Sequence, residues 1–489
     1  MNQYWILAAI FLPILGGAVI PLLPFHSRKS MLWYIEGTVA ATSIIVAMLL
    51  LSGKSQVFHL IHFVNDLSIS FKIDGMTMVF AGLVAVLWPL ATLYAFEYMT
   101  HEEREKSFFM FYTMTYGVTL GIAFASDILS MYFFYELLTL STVPLVMHTL
   151  TREAILAVRK YLYVSIGGAA FALMSIIFLM VYGETCEFTL GGVFSADTLA
   201  QHGKLLLRIY FFSFMGFGVK AAVFPLSGWL PQAGVAPTPV TALLHAVAVV
   251  NAGAFAILRL TYYSFGTEFL RGTWVQNVCL AISMFTIVYG CSRAVKETHI
   301  KRRLAWSTVS NLSYIVFGAV IMTPQGLVGA LAHFVFHGFM KITSFLCAGA
   351  FMHQTGKSKV YEMDGMGKKM PIVFGTFTIS ALSLMGVPGF AGFISKWNLT
   401  EAAVNSGNPL AYAGVACLLV SALLTAIYML SIVRRAFFPG TEAVMAEPAA
   451  DPNWQMCLPL LVCAAVTLVL GLFCAPLIDF FRAIAQGIL

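Results

Sequence analysis

Fourteen apolar stretches follow one another along this chain, each about as long as the roughly 20 residues a helix needs to cross a bilayer. They cover 4–24, 31–52, 76–97, 108–125, 128–149, 160–182, 206–231, 238–260, 274–294, 302–321, 326–352, 371–400, 409–436 and 456–482. The longest connections, 53–75, 183–205 and 437–455, are too short to fold as domains. In a bilayer the backbone must satisfy its own polar groups, so such a pattern predicts an all-α polytopic membrane protein. Composition agrees: 10% of residues are charged and mean hydropathy is +0.86, whereas soluble domains carry roughly a quarter charged residues. The first stretch, Tyr4 to Leu23, reads as a spanning helix and not a cleavable signal, because it lacks a basic flank and a small-residue cleavage site.

A net charge of +6 raises a nucleic-acid reading, but the placement of the charges argues for membrane orientation instead. Eighteen of the 28 Lys and Arg fall in connections after odd-numbered stretches. Seven lie on the other side: Lys54, Lys72, Lys204, Arg208, Arg259, Arg271 and Arg482. The excess places the first set in the cytoplasm, of a prokaryotic inner membrane, and both termini outside. No nucleic-acid partner is expected; the surroundings are the lipid bilayer.

Three lysines remain inside apolar stretches: Lys220, Lys341 and Lys396. Lys220 precedes a Pro225-Leu226-Ser227-Gly228-Trp229-Leu230-Pro231 interruption; Lys396 follows an interruption at Gly386-Val387-Pro388-Gly389. Each interrupted stretch is the fourth of a block of five, 108–260 and 274–436. An odd number of crossings inverts one block relative to the other, and interrupted helices at matching positions mark ion paths. The expected organisation is therefore an N-terminal three-helix segment (1–107), two inverted five-helix repeats (108–260 and 274–436), and a C-terminal helix (437–489).

Charges in an apolar helix are costly and point to function. Glu136 sits mid-stretch in MYFFYELLTLSTVPLV, and Lys220 is its expected partner. The plain alternative is an ion pair that fixes helix packing. His245 follows in the next stretch; its unperturbed pKa near 6.5 suits proton exchange, although a lone buried His is commonly just a hydrogen-bonded core residue. His333, His337 and Lys341 recur at i, i+4 and i+8, on one face of a helix. Three titratable groups in one apolar stripe suit a proton relay. A haem ligated by these histidines would need a facing ligand such as His148 or His245, since two histidines one turn apart cannot take opposite faces of one haem. Lys396, beside Trp397, could snorkel to the interface or face the interruption. The eight cysteines form no CxxC and read as small core residues. No GxGxxG after a strand, Walker lysine or HExxH is present, so neither a cofactor nor a metal is expected.

Several long motifs in order then resemble one family: the antiporter-like, proton-conducting subunits shared by respiratory complex I, Mrp-type cation/proton antiporters and membrane-bound hydrogenases. The resemblance runs from about Phe71 to Arg435. YELLTLSTVPLV carries the family glutamate as Glu136. GVKAAVFPLSGWLP and APTPVTALLHA carry Lys220 and His245, HFVFHGFMK the HxxxHxxxK stripe, and GFISKW the lysine of the broken helix. HIKRRLAWSTVSNLSY resembles the family's approach to the tenth helix. Two departures stand out: Pro231-Gln232-Ala233-Gly234 replaces the typical PDAH, and Asn251 stands where many members have a lysine. The resemblance implies a subunit of a multisubunit membrane complex that moves protons along Glu136, Lys220, His245, His333, His337, Lys341 and Lys396. Partner subunits of an NADH:quinone oxidoreductase-like or hydrogenase-like kind would drive it. A Mrp-type antiporter moving Na⁺ against H⁺, a stand-alone solute transporter and a purely structural subunit are the alternatives.

Overall fold

A computed structural model describes residues 4–53, 55–63, 67–439 and 449–488; Lys54 and part of the 437–455 connection lie outside them. The described residues are almost entirely helical: α1 Tyr4–Ala18, α2 Arg28–Leu51, α3 Gly75–Tyr98, α4 Glu105–Phe124, α5 Ile128–Val146, α6 Arg152–Tyr182, α7 Ala196–Gly218, α8 Thr238–Ala246 and α9 Val249–Leu258. There follow α10 Thr267–Leu270, α11 Trp274–Lys296, α12 Ile300–Ile321, α13 Pro324–Thr355, α14 Met366–Lys369, α15 Pro371–Met385, α16 Ala391–Asn405, α17 Pro409–Phe437, α18 Trp454–Leu472 and α19 Ala475–Ala485. Among the described residues eleven helical segments are long and apolar enough to span a membrane, and α1 and α15 are shorter apolar helices. The chain is an integral multi-pass membrane protein.

Helix starts follow from local chemistry. Asp74, Asp127, Thr151, Ser195 and Thr323 each accept a backbone N–H of the first turn of the helix that follows. Close packing relies on small residues, as between α6 and α7: a Cβ on Gly216 would lie 2.7 Å from the carbonyl oxygen of Gly168. The layout is concentric. The α8–α9 segment is buried along its whole length and α12 and α13 nearly so, whereas α2, α6 and α17 leave much of their surface uncovered.

The connections sort into two sets. On the side rich in basic residues Arg28 pairs with Glu105, Arg302 with Glu153, and Arg435 with Asp364 (3.1 Å). On the other side Lys72 donates to the carbonyl of Phe188 (2.7 Å), Arg271 to that of Met322 (2.6 Å), and Asn408 to Asn277 (3.0 Å). Each contact joins connections that the charge count assigns to the same side.

Four details differ from the sequence expectation. The connection 53–75 holds an antiparallel hairpin, β1 Phe58–His62 with β2 Ser68–Phe71, bulged between His59 and Ile61. Its aromatic and β-branched residues favour extended backbone. The stretch 206–231 is helical only to Gly218; residues beyond form a turn with short 3₁₀ segments at Leu226–Trp229 and Ala233–Val235. The stretch 238–260 divides at Val247–Ala248, and Arg259–Phe265 continues α9 as a π-helix. The last stretch, 456–482, divides after Leu472 into α18 and α19.

Candidate functional site

The sequence placed Lys220 inside a helix; it lies instead in the turn after α7, where Ala222 takes a left-handed φ of 54°. Backbone groups freed there find partners. Tyr135 Oη donates to the carbonyl of Phe217 (3.0 Å), Trp229 Nε1 to that of Val219 (2.8 Å), and the N–H of Phe224 donates to Thr286 Oγ1 (3.1 Å). Gly253 of α9 packs directly on this turn: a Cβ there would lie 2.3 Å from the amide nitrogen of Ala221.

Lys220 is 1% exposed. Its ammonium donates to the carbonyl of Tyr135 and sits 3.4 Å from the centroid of the Tyr135 ring. Glu136 is the next residue of α5, yet among the described residues no ion pair within 4 Å joins it to Lys220. The lysine is seated on the aromatic ring that adjoins its expected partner. Successive helical residues point about 100° apart, so a lysine on Tyr135 does not meet the Glu136 carboxylate head-on. Glu136 Oε1 is buried without a protein hydrogen-bond partner.

His245 is wholly buried at the end of α8, stacked on Phe345 of α13 with centroids 4.5 Å apart. The break follows at once, and Asn251 holds it open: its Nδ2 donates to the carbonyl of Ala246 (3.0 Å). The residue that replaces the family lysine therefore serves the backbone of the break beside His245.

On α13 the expected stripe is present. His333, His337 and Lys341 are all 0% exposed. The His333 and His337 rings lie 6.0 Å apart, and His333 also stacks on Tyr314 of α12 (5.1 Å). His333 Nδ1 meets Ser395 Oγ of α16 at 2.9 Å, one residue before Lys396. Lys396 does not extend toward the membrane surface; its ammonium donates back to the carbonyls of Leu384 (2.6 Å) and Met385 (3.2 Å) at the α15 end of the interruption. Lys341 donates to Ser307 Oγ (2.6 Å), which meets Tyr428 Oη at 2.6 Å. His148, by contrast, packs on Phe108, and His245 faces Phe345; neither ring stacks on His333 or His337. The geometry joins His245 to α13, and α13 to Lys396, while Glu136 and Lys220 form a separate cluster on α5 and the turn after α7.

Sequence reasoning passed over the hydroxyls. Ser307 and Ser310 on α12, with Ser421, Thr425 and Tyr428 on α17, are joined through Cys291 of α11 into one hydrogen-bonded cluster beside Lys341, and Tyr314 donates to the nearby carbonyl of Leu418. Their helical spacing was the available signal. It also passed over Arg259, which was counted with the outer loops but is 0% exposed and holds both carboxylate oxygens of Asp74 at 2.7 Å. Among the described residues no group of three or more His, Cys, Asp or Glu is arranged to hold a metal ion.

Comparison with known proteins follows this geometry. The family described as "NADH:quinone oxidoreductase/Mrp antiporter, TM" matches residues 125–425, and the family of the complex I chain 5 N-terminus matches residues 62–109. The NADH-quinone oxidoreductase subunit N of Desulforudis audaxviator is 30% identical over 450 residues, 89% of this chain and 88% of that one. The Na(+)/H(+) antiporter subunit A1 of Staphylococcus aureus is 28% identical over 95% of this chain, which spans 60% of that relative's length. Two solved structures share the fold. A chain of the Mrp complex from Dietzia sp. DQ12-45-1b aligns at TM-score 0.85 and 21% identity, covering 100% of this chain and 98% of its own. A chain of the membrane-bound sulfane sulfur reductase, an archaeal respiratory membrane complex, aligns at 0.86 and 22%, covering 99% and 97%. The chain is an antiporter-like membrane subunit and belongs to the NADH:quinone oxidoreductase/Mrp antiporter transmembrane family.

Proposed function

We propose that the chain conducts protons across the membrane as one subunit of a multisubunit complex, through Glu136, Lys220, His245, Lys341, His337, His333 and Lys396. One observation carries this reading. His245, His333 and His337 are fully buried, and five of their six ring nitrogens have no protein hydrogen-bond partner. Packing histidines would be satisfied by protein groups. Unsatisfied buried polar atoms in a line require water, which bridges the ring-to-ring steps and carries protons.

Glu136 and Lys220 form the first half of the path, and the α13 stripe with Lys396 the second. Lys220 has no carboxylate in contact, so its charge state responds to Glu136 through space. A shift of charge at Glu136 by a neighbouring subunit alters the hold on the Lys220 proton and sends it toward His245. Moving one charge against 100 mV costs about 2.3 kcal/mol, which the partner subunits must supply. The path ends beside a cavity of about 550 Å³ between α16 and α19, lined in part by Trp397, Glu401, Asp479 and Arg482.

The same reading takes the chain across the inner membrane fourteen times with both termini outside, as two inverted repeats at 108–260 and 274–436. It is supported by the two-sided sorting of loop contacts and by interruptions at 219–237 and 386–390. Redox partners are supported by the match to a quinone oxidoreductase subunit; a Mrp-type Na⁺/H⁺ exchanger is supported by the match to antiporter subunit A1. Lys341→Ala in the assembled complex, reconstituted in liposomes, should abolish proton transport while assembly persists. Retained transport would defeat the reading. Dependence of the proton flux on Na⁺, without any electron donor, would select the exchanger.

A further inference from the structure

The α13 helix is about 48 Å long at 1.5 Å per residue, well beyond a hydrocarbon core of about 30 Å. Its stripe of titratable residues continues past Lys341. Phe345, Gly349 and His353 follow on the same face, at successive steps of four. At that end His353 Nε2 meets His101 Nδ1 at 3.0 Å, and Thr100 Oγ1 lies 3.0 Å from the same His101 nitrogen. His101 is exposed on the side that carries the basic loops. His353 Nδ1 is buried without a protein partner.

Behind the pair lies a polar route inward. His353 packs on Tyr98 with ring centroids 5.6 Å apart. Tyr98 Oη accepts from Thr238 Oγ1 (3.2 Å). Thr238, Thr241 and His245 then recur at i, i+3 and i+7 along α8, all 0% exposed. Neighbours at that spacing lie about 5–6 Å apart, which one water bridges. Gly349 keeps the slot open: a Cβ there would fall 2.3 Å from Thr238 Cγ2 and 2.7 Å from Tyr94 Oη. The charged groups facing the pair are Glu97 on the last turn of α3, near His353, and Glu102 in the connection that follows, near His101; Lys301 of α12 faces Glu102 in turn.

We propose that the His101–His353 pair takes up protons from the basic-loop side and passes them through Tyr98, Thr238 and Thr241 to His245. This rests on the proton-conducting reading above and adds a point of uptake to it. Thr238 donates to Tyr98 and Thr241 to the Thr238 carbonyl, so each hydroxyl first turns to donate inward; it then receives a proton on its oxygen as it releases its own to the next acceptor, and no net charge stays on the threonines. The two histidines sharing one hydrogen bond present an exposed acceptor on one side and an inward-facing nitrogen on the other.

The test uses the reconstituted complex with the double variant His101→Gln/His353→Gln. Transport should fall by about tenfold or more, most steeply at alkaline pH on the basic-loop side, and free imidazole on that side should restore it. Thr238→Val should slow transport equally, with no rescue by imidazole. An unchanged rate and pH profile in the double variant, while Lys341→Ala is inactive, would overturn the uptake site alone. Active Lys341→Ala would overturn the conduction reading itself. A double variant that assembles, is slow and is not rescued by imidazole would also overturn the proposal, because it marks the histidines as packing groups.

Discussion

Asn251 decides how the eighth apolar stretch divides. Its Nδ2 occupies the Ala246 carbonyl that the break at Val247–Ala248 would otherwise leave without an intrahelical donor. Asn251→Leu keeps the approximate volume and removes the donor, so it should cost about 1–3 kcal/mol as an unsatisfied buried carbonyl. Thermal unfolding of the purified protein in detergent measures that loss, and an unchanged midpoint would show that the amide does not hold the break. The sequence made Lys220, His245, His333, His337 and Lys341 conspicuous because each is a titratable group among apolar neighbours. It hid the break itself: Leu243 to Val250 reads LLHAVAVV, with neither Gly nor Pro, and a reader sees an uninterrupted helix. The partner of Lys220 was hidden for a related reason. Spacing along the chain located Glu136 and Lys220 at similar depth, but only the turn after Gly218 sets the ammonium on the ring of Tyr135 instead.

At the scale of elements, two junctions respond differently to change. The π-helical segment Arg259–Phe265 begins with a guanidinium enclosed by Phe188, Phe255 and Tyr263 and clamped to Asp74, which also caps α3. Removing one partner of a buried pair costs about 3–5 kcal/mol, so Asp74→Asn and Arg259→Met should each destabilise strongly. The double variant Asp74→Asn/Arg259→Met should recover part of the loss, and a double-mutant cycle of unfolding free energies shows whether it does. Burial alone would raise the Asp74 carboxyl, but Arg259, its hydrogen bonds and Lys72 hold it well below the usual carboxylate range. A lowered carboxyl stabilises the fold above its unfolded value of about 3.9, so this clamp should persist under mildly acidic conditions. The junction at His299 behaves in the opposite way. Burial, followed by Lys301, Arg302 and Lys359, lowers its imidazole to about 4. Protonation therefore favours the unfolded form, and stability here is complete above the unfolded value near 6.5 and declines as pH falls toward about 4. Hydrogen exchange at residues 297–303 and 357–362, corrected for intrinsic rate, should quicken over that window, and His299→Gln should remove the dependence.

For the whole molecule the issue is sidedness, because a path of protons has direction only if its ends face different compartments. Apolar lengths made the all-helical, multi-pass class readable, since the bilayer imposes it; the proposed fourteen crossings rest on those lengths and on Lys/Arg placement. Lys/Arg placement assigns connections to sides, but which of them meet is a matter of tertiary contact, and the sequence carries no local trace of that. The contacts Arg302–Glu153 and His101–His353 in one set of connections, and Lys72–Phe188 in the other, support the proposed two-sided arrangement. Arg302–Glu153 joins the two proposed repeats and His101–His353 joins the second to the N-terminal segment, so reversing the second repeat alone would break both. A cysteine at Lys357 and one at Lys204, each in a background without the eight native cysteines, report on these surfaces. In intact cells a membrane-impermeant maleimide should label Lys204→Cys and spare Lys357→Cys, and inverted membrane vesicles should reverse the pattern. Labelling of both positions from one side would refute the fourteen-crossing arrangement. With it would go the assignment of the His101–His353 end as the side of uptake and the Lys396 end as the side of release.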